Sequence, residues 1–202
     1  MERAGKALKY GEKIKLEDLS WRTKFHYEDG ETELFKKVLA GLAWPTLKES
    51  AYFCIFAKGE KKNQFGKEPL IHVFELDDDG SIDCFFEEVK KNVERFLVSS
   101  VFCLAEGNPF FLKHGNICTY LEPNGAKDFS YGLTVIKAWS KASAIQTMEG
   151  SILRAQLGTL RESDLKEVQE RFNAINALRY VVSGFERDSG FSGRINLDDC
   201  LI

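Results

Sequence analysis

Short apolar runs of strand length, interrupted by a helical pattern, limit the folds open to this chain. Ala51–Lys58 and Pro69–Leu76 are two such runs, joined by a polar, lysine-containing turn, and Val101–Glu106 is a third. Between the second and third runs, Asp83–Phe96 repeats apolar residues at helical spacing. A hairpin followed by a helix and another strand predicts an α/β fold, with a mixed sheet that starts with a β-hairpin and helices packed on it.

The remaining segments are assigned by the same patterns. Residues 1–24 mix seven Lys or Arg with four acids, which favours an arm with few core residues. Apolar residues fall on one helical face in Glu31–Leu42, so a helix is predicted there. Further along, we predict a strand at Ile117–Leu121 and helices at Leu133–Ile152 and from Leu165 to a stop at Gly184.

These assignments divide the chain of 202 residues into three regions. We predict an N-terminal arm and helix at 1–48, an α/β domain at 49–184 and a tail at 185–202. The five cysteines are odd in number and show no CxxC spacing, which favours free thiols over a disulfide or zinc framework. No signal peptide or apolar run of about 20 residues is visible, so we expect a soluble, cytoplasmic protein with no membrane partner.

Single acids end two of the predicted strands. Glu106 follows the apolar run that begins at Val101, and Glu122 follows the next strand. A carboxylate at a strand end suits a metal ligand or general base, and two on one sheet edge can hold divalent ions. The alternatives are that Glu106 caps the short helix after Asn108 and that Glu122 is a solvated turn residue.

Other polar residues carry weaker signals. Asp77, Asp78 and Asp79 lack the alternating ligands of a calcium loop, so a turn after a strand is the better interpretation. His72 lies inside a predicted strand and is interpreted as a satisfied core or sheet-face histidine rather than a ligand, whereas His114 is the histidine near Glu106. Net charge is −3, which does not indicate a strongly basic nucleic-acid binder but leaves room for a local basic patch.

Two motifs carry a resemblance to a known family. The strand Val-Phe-Cys-Leu-Ala-Glu106 is followed by a late helix that reads Asn176-Ala-Leu-Arg-Tyr180, and Ser140-Lys141-Ala142 lies between them. Over residues 50–184 this resembles the RNase H-like nuclease fold of phage terminase large subunits. That family has a strand ending in Glu and a late helix with Asp-Ala-x-x-Tyr.

The resemblance implies a divalent-metal-dependent nuclease if the chain is an enzyme. Glu106 would then ligate Mg²⁺ or Mn²⁺, and Asn176 would stand at the position of the late-helix acid. Glu122, the acid that ends the next strand, is the third candidate catalytic residue. The chain departs from the family in two places: Ala51–Lys58 ends without an acid, and the late-helix Asp is Asn176, a weaker ligand for a hard cation. These departures imply reduced or lost catalysis.

Two functional hypotheses follow. In the first, the chain binds DNA or RNA, and the hairpin-loop lysines contact phosphates; these are Lys58, Lys61, Lys62 and Lys67. In the second, it is a non-catalytic protein-interaction module or a subunit of a phage or mobile-element assembly. Phenylalanine-rich surfaces and the tail would then contact protein subunits. Asn173 and Asn176, weak helix formers in the last helix, have either a tertiary role or solvent exposure.

Overall fold

The computed structural model describes residues 7–78, 80–104, 109–118, 120–122, 126–160 and 168–188. Within these ranges the chain forms eight strands and six α-helices. The strands are β1 (Leu8–Lys15), β2 (Trp21–Tyr27), β3 (Thr32–Ala43), β4 (Tyr52–Gly59), β5 (Leu70–Asp77), β6 (Ser100–Leu104), β7 (Tyr120–Glu122) and β8 (Ile145–Gln146). The helices are α1 (Ile82–Arg95), α2 (Pro109–His114), α3 (Ala126–Lys141), α4 (Ile152–Thr159), α5 (Val168–Arg171) and α6 (Asn173–Asp188).

Strand β3 lies at the centre of one mixed sheet. One edge of β3 pairs antiparallel with β4 over most of its length. The other edge is shared, because its first half pairs antiparallel with β2 and its second half pairs in parallel with β6. Strand β5 pairs antiparallel with β4, and β1 pairs antiparallel with β2. Two short strands pair in parallel at the edges: β8 with β5, and β7 with β6. The predicted α/β class with a mixed sheet is confirmed, and β4 and β5 are the predicted hairpin.

Apolar layers cover both faces of the sheet. Helix α1 presents Phe85, Phe86 and Val89 to one face, where they pack with side chains of β3, β4 and β6. Helix α6 packs on the other face, with contributions from α3 and α4. Burial between two layers removes almost all side chains of β3 from water after Lys37, which is the main source of stability for a strand of this kind.

A glycine sets the distance between α6 and β3. A Cβ atom added at Gly41 would lie 2.0 Å from the carbonyl oxygen of Ala177 and 2.9 Å from Cγ2 of Val181. These contacts are shorter than any that real Cβ atoms make, so the helix backbone approaches the sheet only because position 41 lacks a side chain. This approach fixes α6 over the second half of β3.

The helix predicted at Glu31–Leu42 is wrong, because the segment is strand β3. Its apolar residues match helical spacing by coincidence: from Val38 to Ala43 every residue is buried, since α1 and α6 cover opposite faces. A continuous apolar run of this length does not distinguish a fully buried strand from a helix by periodicity.

The arm predicted at residues 1–24 is wrong over the described part, where β1 and most of β2 form a hairpin. On β2, Thr23, Phe25 and Tyr27 point into the core, and the charged residues occupy the opposite face. The predicted boundary after residue 48 falls in the connection between β3 and β4, which pair within one sheet. The division into three regions stays a prediction.

The later elements are shorter than predicted. The helix expected at Leu133–Ile152 is α3 followed by β8, because the chain turns at Ser143 with a φ of +48°. The long helix is interrupted at Phe172, between α5 and α6, and α6 continues through Gly184 instead of stopping there. The strand predicted at Ile117–Leu121 begins later, since Ile117 belongs to a 3₁₀ turn.

Several expectations fall on other parts of the chain. The predicted tail begins at residue 185, but residues 185–188 belong to α6, and the rest of the tail lies outside the described residues. Cysteines in the described part are free thiols, and Cys54 and Cys103 are buried. No helix in that part is both long and apolar enough to cross a bilayer.

Candidate functional site

The end of the sheet where β3, β6 and β7 finish is the position predicted for the catalytic acids. Glu106 lies outside the described residues, two positions beyond the end of β6. Backbone pairing places Glu122 opposite Leu104 in a parallel ladder, so β6 and β7 end at the same sheet edge, as the prediction requires. Whether the two carboxylates meet stays a prediction.

Trp44 ties the end of β3 to the end of β6. Its indole Nε1–H donates a hydrogen bond of 2.6 Å to the carbonyl oxygen of Leu104. The ring also packs at 5.4 Å from the ring of Phe86 on α1, measured between centroids. In the sequence, a tryptophan in front of a proline gives no sign of this cross-strand contact.

Asn173 and Asn176 are both buried, so solvent exposure is wrong for either residue. The Nδ2 group of Asn173 donates to the carbonyl oxygens of Trp44, at 3.0 Å, and Ser50, at 2.6 Å. The tertiary role expected for Asn173 is therefore confirmed: it closes the connection between β3 and β4. Asn176 lies one turn further along α6, next to Ala177, which contacts Gly41.

The first turn of α6 is capped from α4. Oε1 of Gln156 accepts hydrogen bonds from the backbone N–H groups of Ala174, at 3.0 Å, and Ile175, at 3.4 Å. Its Nε2 donates to a carboxylate oxygen of Glu49 at 3.3 Å. Burial raises the pKa of Glu49, and the negative charge of Asp77 raises this pKa further. A glutamine two helices away could not be assigned this role from sequence.

Glu75 binds the first turn of α4. Its carboxylate accepts hydrogen bonds from the N–H groups of Ile152, at 2.8 Å, and Leu153, at 3.4 Å, and from the hydroxyl of Tyr52. Burial raises the pKa of Asp77, and the charges of Asp78 and Glu75 act in the same direction. The carboxylate of Glu75 is thus occupied by hydrogen bonds to the start of α4 and to Tyr52. Within the described ranges, no group of three His, Cys, Asp or Glu residues is placed to hold a metal ion.

Asp78, the residue after β5, lies in the predicted turn. Oδ1 of Asp78 accepts from the N–H of Gly80 at 3.0 Å, and Gly80 has a φ of +112°, a conformation that glycine adopts readily. Asp79 lies outside the described residues.

Two histidines are held by aromatic rings. His72 on β5 is buried and stacks on Phe56 at a centroid distance of 4.9 Å, so it is a core histidine. Burial lowers its pKa to about 4. His114 stacks on Phe86 at 4.1 Å, and its Nε2 lies 3.3 Å from Oδ1 of Asp83. Burial lowers the pKa of His114.

The predicted lysines lie on β4 and in the loop that joins β4 to β5, and they are not equivalent. Lys58 pairs with Glu68 at 3.1 Å, and Glu68 also pairs with Lys36. In contrast, Lys61, Lys62 and Lys67 are exposed and make no ion pair with a described residue. These three residues are called the loop lysines below.

The loop lysines lie at the opposite end of the sheet from Glu122 and the end of β6. In the β3–β4 ladder, Lys58 pairs with Lys37 at one end and Tyr52 pairs with Ala43 at the other. The two ends are six residues apart on each strand. At a rise of ~3.3 Å per residue, the two ends are ~20 Å apart, which is the length of about six base pairs along one strand of DNA.

Comparison with known proteins gives a likeness of fold. No protein-family model matches the chain, and no curated protein is similar to it in sequence. Among solved structures, the chain is similar to the large terminase nuclease domain of bacteriophage SPP1, crystallised with bound Mn. The identity is 14% and the TM-score 0.49, over 76% of this chain and 88% of that one. The predicted resemblance to the terminase nuclease fold is confirmed as a faint similarity.

Proposed function

We propose that this chain is a cytoplasmic, nuclease-like domain that binds DNA or RNA and has reduced or lost metal-dependent cleavage. The exposed, unneutralised loop lysines are the observation that carries this proposal. Three cations on one short loop provide a local positive surface on a chain whose net charge is −3. Release of counterions from phosphates is the main source of affinity at such a surface.

The ion pairs of neighbouring residues limit the proposed phosphate contacts to the loop lysines. Lys58 shares Glu68 with Lys36, and Arg22 pairs with Glu60 at the same end of the sheet. Because these cations are already neutralised, they contribute less to phosphate binding than the loop lysines. Of the four predicted lysines, Lys58 should therefore contribute least to phosphate binding.

Cleavage is proposed for the opposite end of the sheet. Glu106 and Glu122 remain the candidate catalytic acids, with Glu106 as the candidate ligand of Mg²⁺ or Mn²⁺. Asn176 contributes a neutral amide where the resembling family has an acid, and amides bind hard cations more weakly than carboxylates do. The described side chains do not fit a two-metal site. No reaction step is therefore assigned to a metal.

A second candidate function is a protein-interaction module, or a subunit of a phage or mobile-element assembly. Its support is the exposure of two large aromatic side chains on the first hairpin, Trp21 at 59% and Tyr10 at 42%. Aromatic residues of this kind are enriched where proteins bind each other. A stable oligomer without nucleic-acid affinity would favour this function.

Fluorescence anisotropy with labelled DNA tests the first proposal. The double variant Lys61→Gln/Lys62→Gln removes two loop charges, and Lys90→Gln/Lys91→Gln on α1 is the matched control with the same change in net charge. For duplex DNA we expect the loop variant to bind more weakly. Its plot of log K against log salt should also be shallower, with a slope smaller in magnitude by ~2. The control should bind like the wild type. Equal behaviour of both variants would contradict the proposed surface.

A further inference from the structure

Phe65 is an exposed aromatic side chain among the loop lysines. It is 53% exposed, between Gln64 and Gly66, both of which are also exposed. We propose that Phe65 stacks on an unpaired base, so that the preferred ligand of this loop is a single-stranded nucleic acid. The inference rests on the proposed function and adds the class of ligand and the residue that selects it.

The loop that presents Phe65 is held in one shape by Asn63. Oδ1 of Asn63 accepts hydrogen bonds from the N–H groups of Phe65, at 2.9 Å, and Lys67, at 3.1 Å. Its backbone N–H donates to the carbonyl oxygen of Lys67 at 2.7 Å, and its carbonyl accepts from Gly66 at 2.9 Å. Gly66 has a φ of +72°, which closes the turn without strain.

The same asparagine fastens the loop to the rest of the domain. Its Nδ2 donates to the carbonyl oxygens of Ala142, at 2.8 Å, and Ser143, at 3.1 Å, just after α3. The loop is therefore bonded at its base rather than free to rearrange. Because the backbone is already ordered, stacking of Phe65 on a ligand costs little additional backbone entropy.

The surroundings of Phe65 favour a nucleic-acid base over a protein partner. Lys61, Lys62 and Lys67 flank it in the sequence of the same loop and are exposed, and lysine is depleted in the cores of protein interfaces. Lysines that bind a phosphate backbone next to an aromatic ring that stacks on a base are the combination that binds single strands. A duplex keeps its base faces inside the helix, so it can use the lysines but not the ring.

The experiment compares Phe65→Ala with the wild type on oligothymidine and on duplex DNA of equal length, by anisotropy at one salt concentration. We expect Phe65→Ala to weaken oligothymidine binding by about 5- to 100-fold and to leave duplex binding unchanged. Phe65→Trp should restore oligothymidine binding, because it restores a stacking surface. Leu19→Ala is the control, since it also removes an exposed apolar side chain, on the other hairpin.

The outcomes separate this inference from the proposed function. If Phe65→Ala binds oligothymidine as tightly as the wild type, while Lys61→Gln/Lys62→Gln binds more weakly, stacking is refuted and the phosphate surface stands. An equal loss on oligothymidine and duplex would also refute base stacking. If the wild type binds neither DNA, the proposed function fails and the inference fails with it. A partner protein whose binding requires Phe65 would then be the explanation of its exposure.

Discussion

Gly41→Ala tests whether α6 is placed by close backbone contact with β3. The added Cβ would lie 2.0 Å from the carbonyl oxygen of Ala177, and ordinary contact begins at 3.4 Å. The helix or the strand would therefore have to move by about 1.4 Å, because the clashing atom belongs to the backbone. Overpacking by one methyl group costs ~1–3 kcal/mol, and sometimes more, where the surroundings cannot rearrange. We expect a loss near or above the upper figure.

Urea unfolding followed by circular dichroism measures this loss as a change in the free energy of unfolding. Gly158→Ala is the matched control, since it makes the same substitution in α4 with nothing within 4 Å of the new Cβ. It should raise stability by ~0.5–1 kcal/mol, because alanine favours a helix more than glycine does. A Gly41→Ala protein as stable as the wild type would refute the packing argument.

Two further predictions concern titration and metal binding. Burial lowers the pKa of His72 to about 4, below its value of 6.5 in an unfolded chain, so its contribution to stability is lost as pH falls from about 6.5 to 4. When the pH is lowered from 7 to 4.5, the free energy of unfolding measured with urea should therefore fall by ~2–3 kcal/mol less in His72→Phe than in the wild type. Parallel pH profiles of the two proteins would contradict this. For Glu106→Gln, calorimetry should show loss of any Mg²⁺ or Mn²⁺ binding that the wild type has; retention of binding would exclude Glu106 as the ligand.

Local sequence patterns correctly predicted a helix with one buried face and two apolar strands joined by a polar loop. Helix α1 has one buried stripe, and β4 and β5 are apolar runs of strand length with a polar loop between them. Strand β3 was assigned wrongly because burial on both faces removes the alternation that marks a strand. The hairpin of β1 and β2 was missed for a different reason: its charged outer face hides the buried Phe25 and Tyr27.

The candidate site was predicted only in part, because its contacts join distant segments. The sequence offered Glu106 and Glu122 as acids on one sheet edge only if their strands were parallel neighbours, and the pairing of β6 with β7 required coordinates. The bonds of Asn173 to Trp44 and Ser50 join residues more than 120 positions apart, and no local pattern indicates them. The loop lysines were recognisable by composition, but the salt bridge that occupies Lys58 and the exposure of Phe65 required coordinates.

The salt dependence of DNA binding by the wild-type chain tests the central claim most directly. Anisotropy with a labelled duplex, repeated over a series of salt concentrations, gives the slope of log K against log salt. Three phosphate contacts, one for each of Lys61, Lys62 and Lys67, predict a slope of about −2.7. Absence of binding at low salt, or binding that does not change with salt, would contradict a nucleic-acid-binding function for this loop.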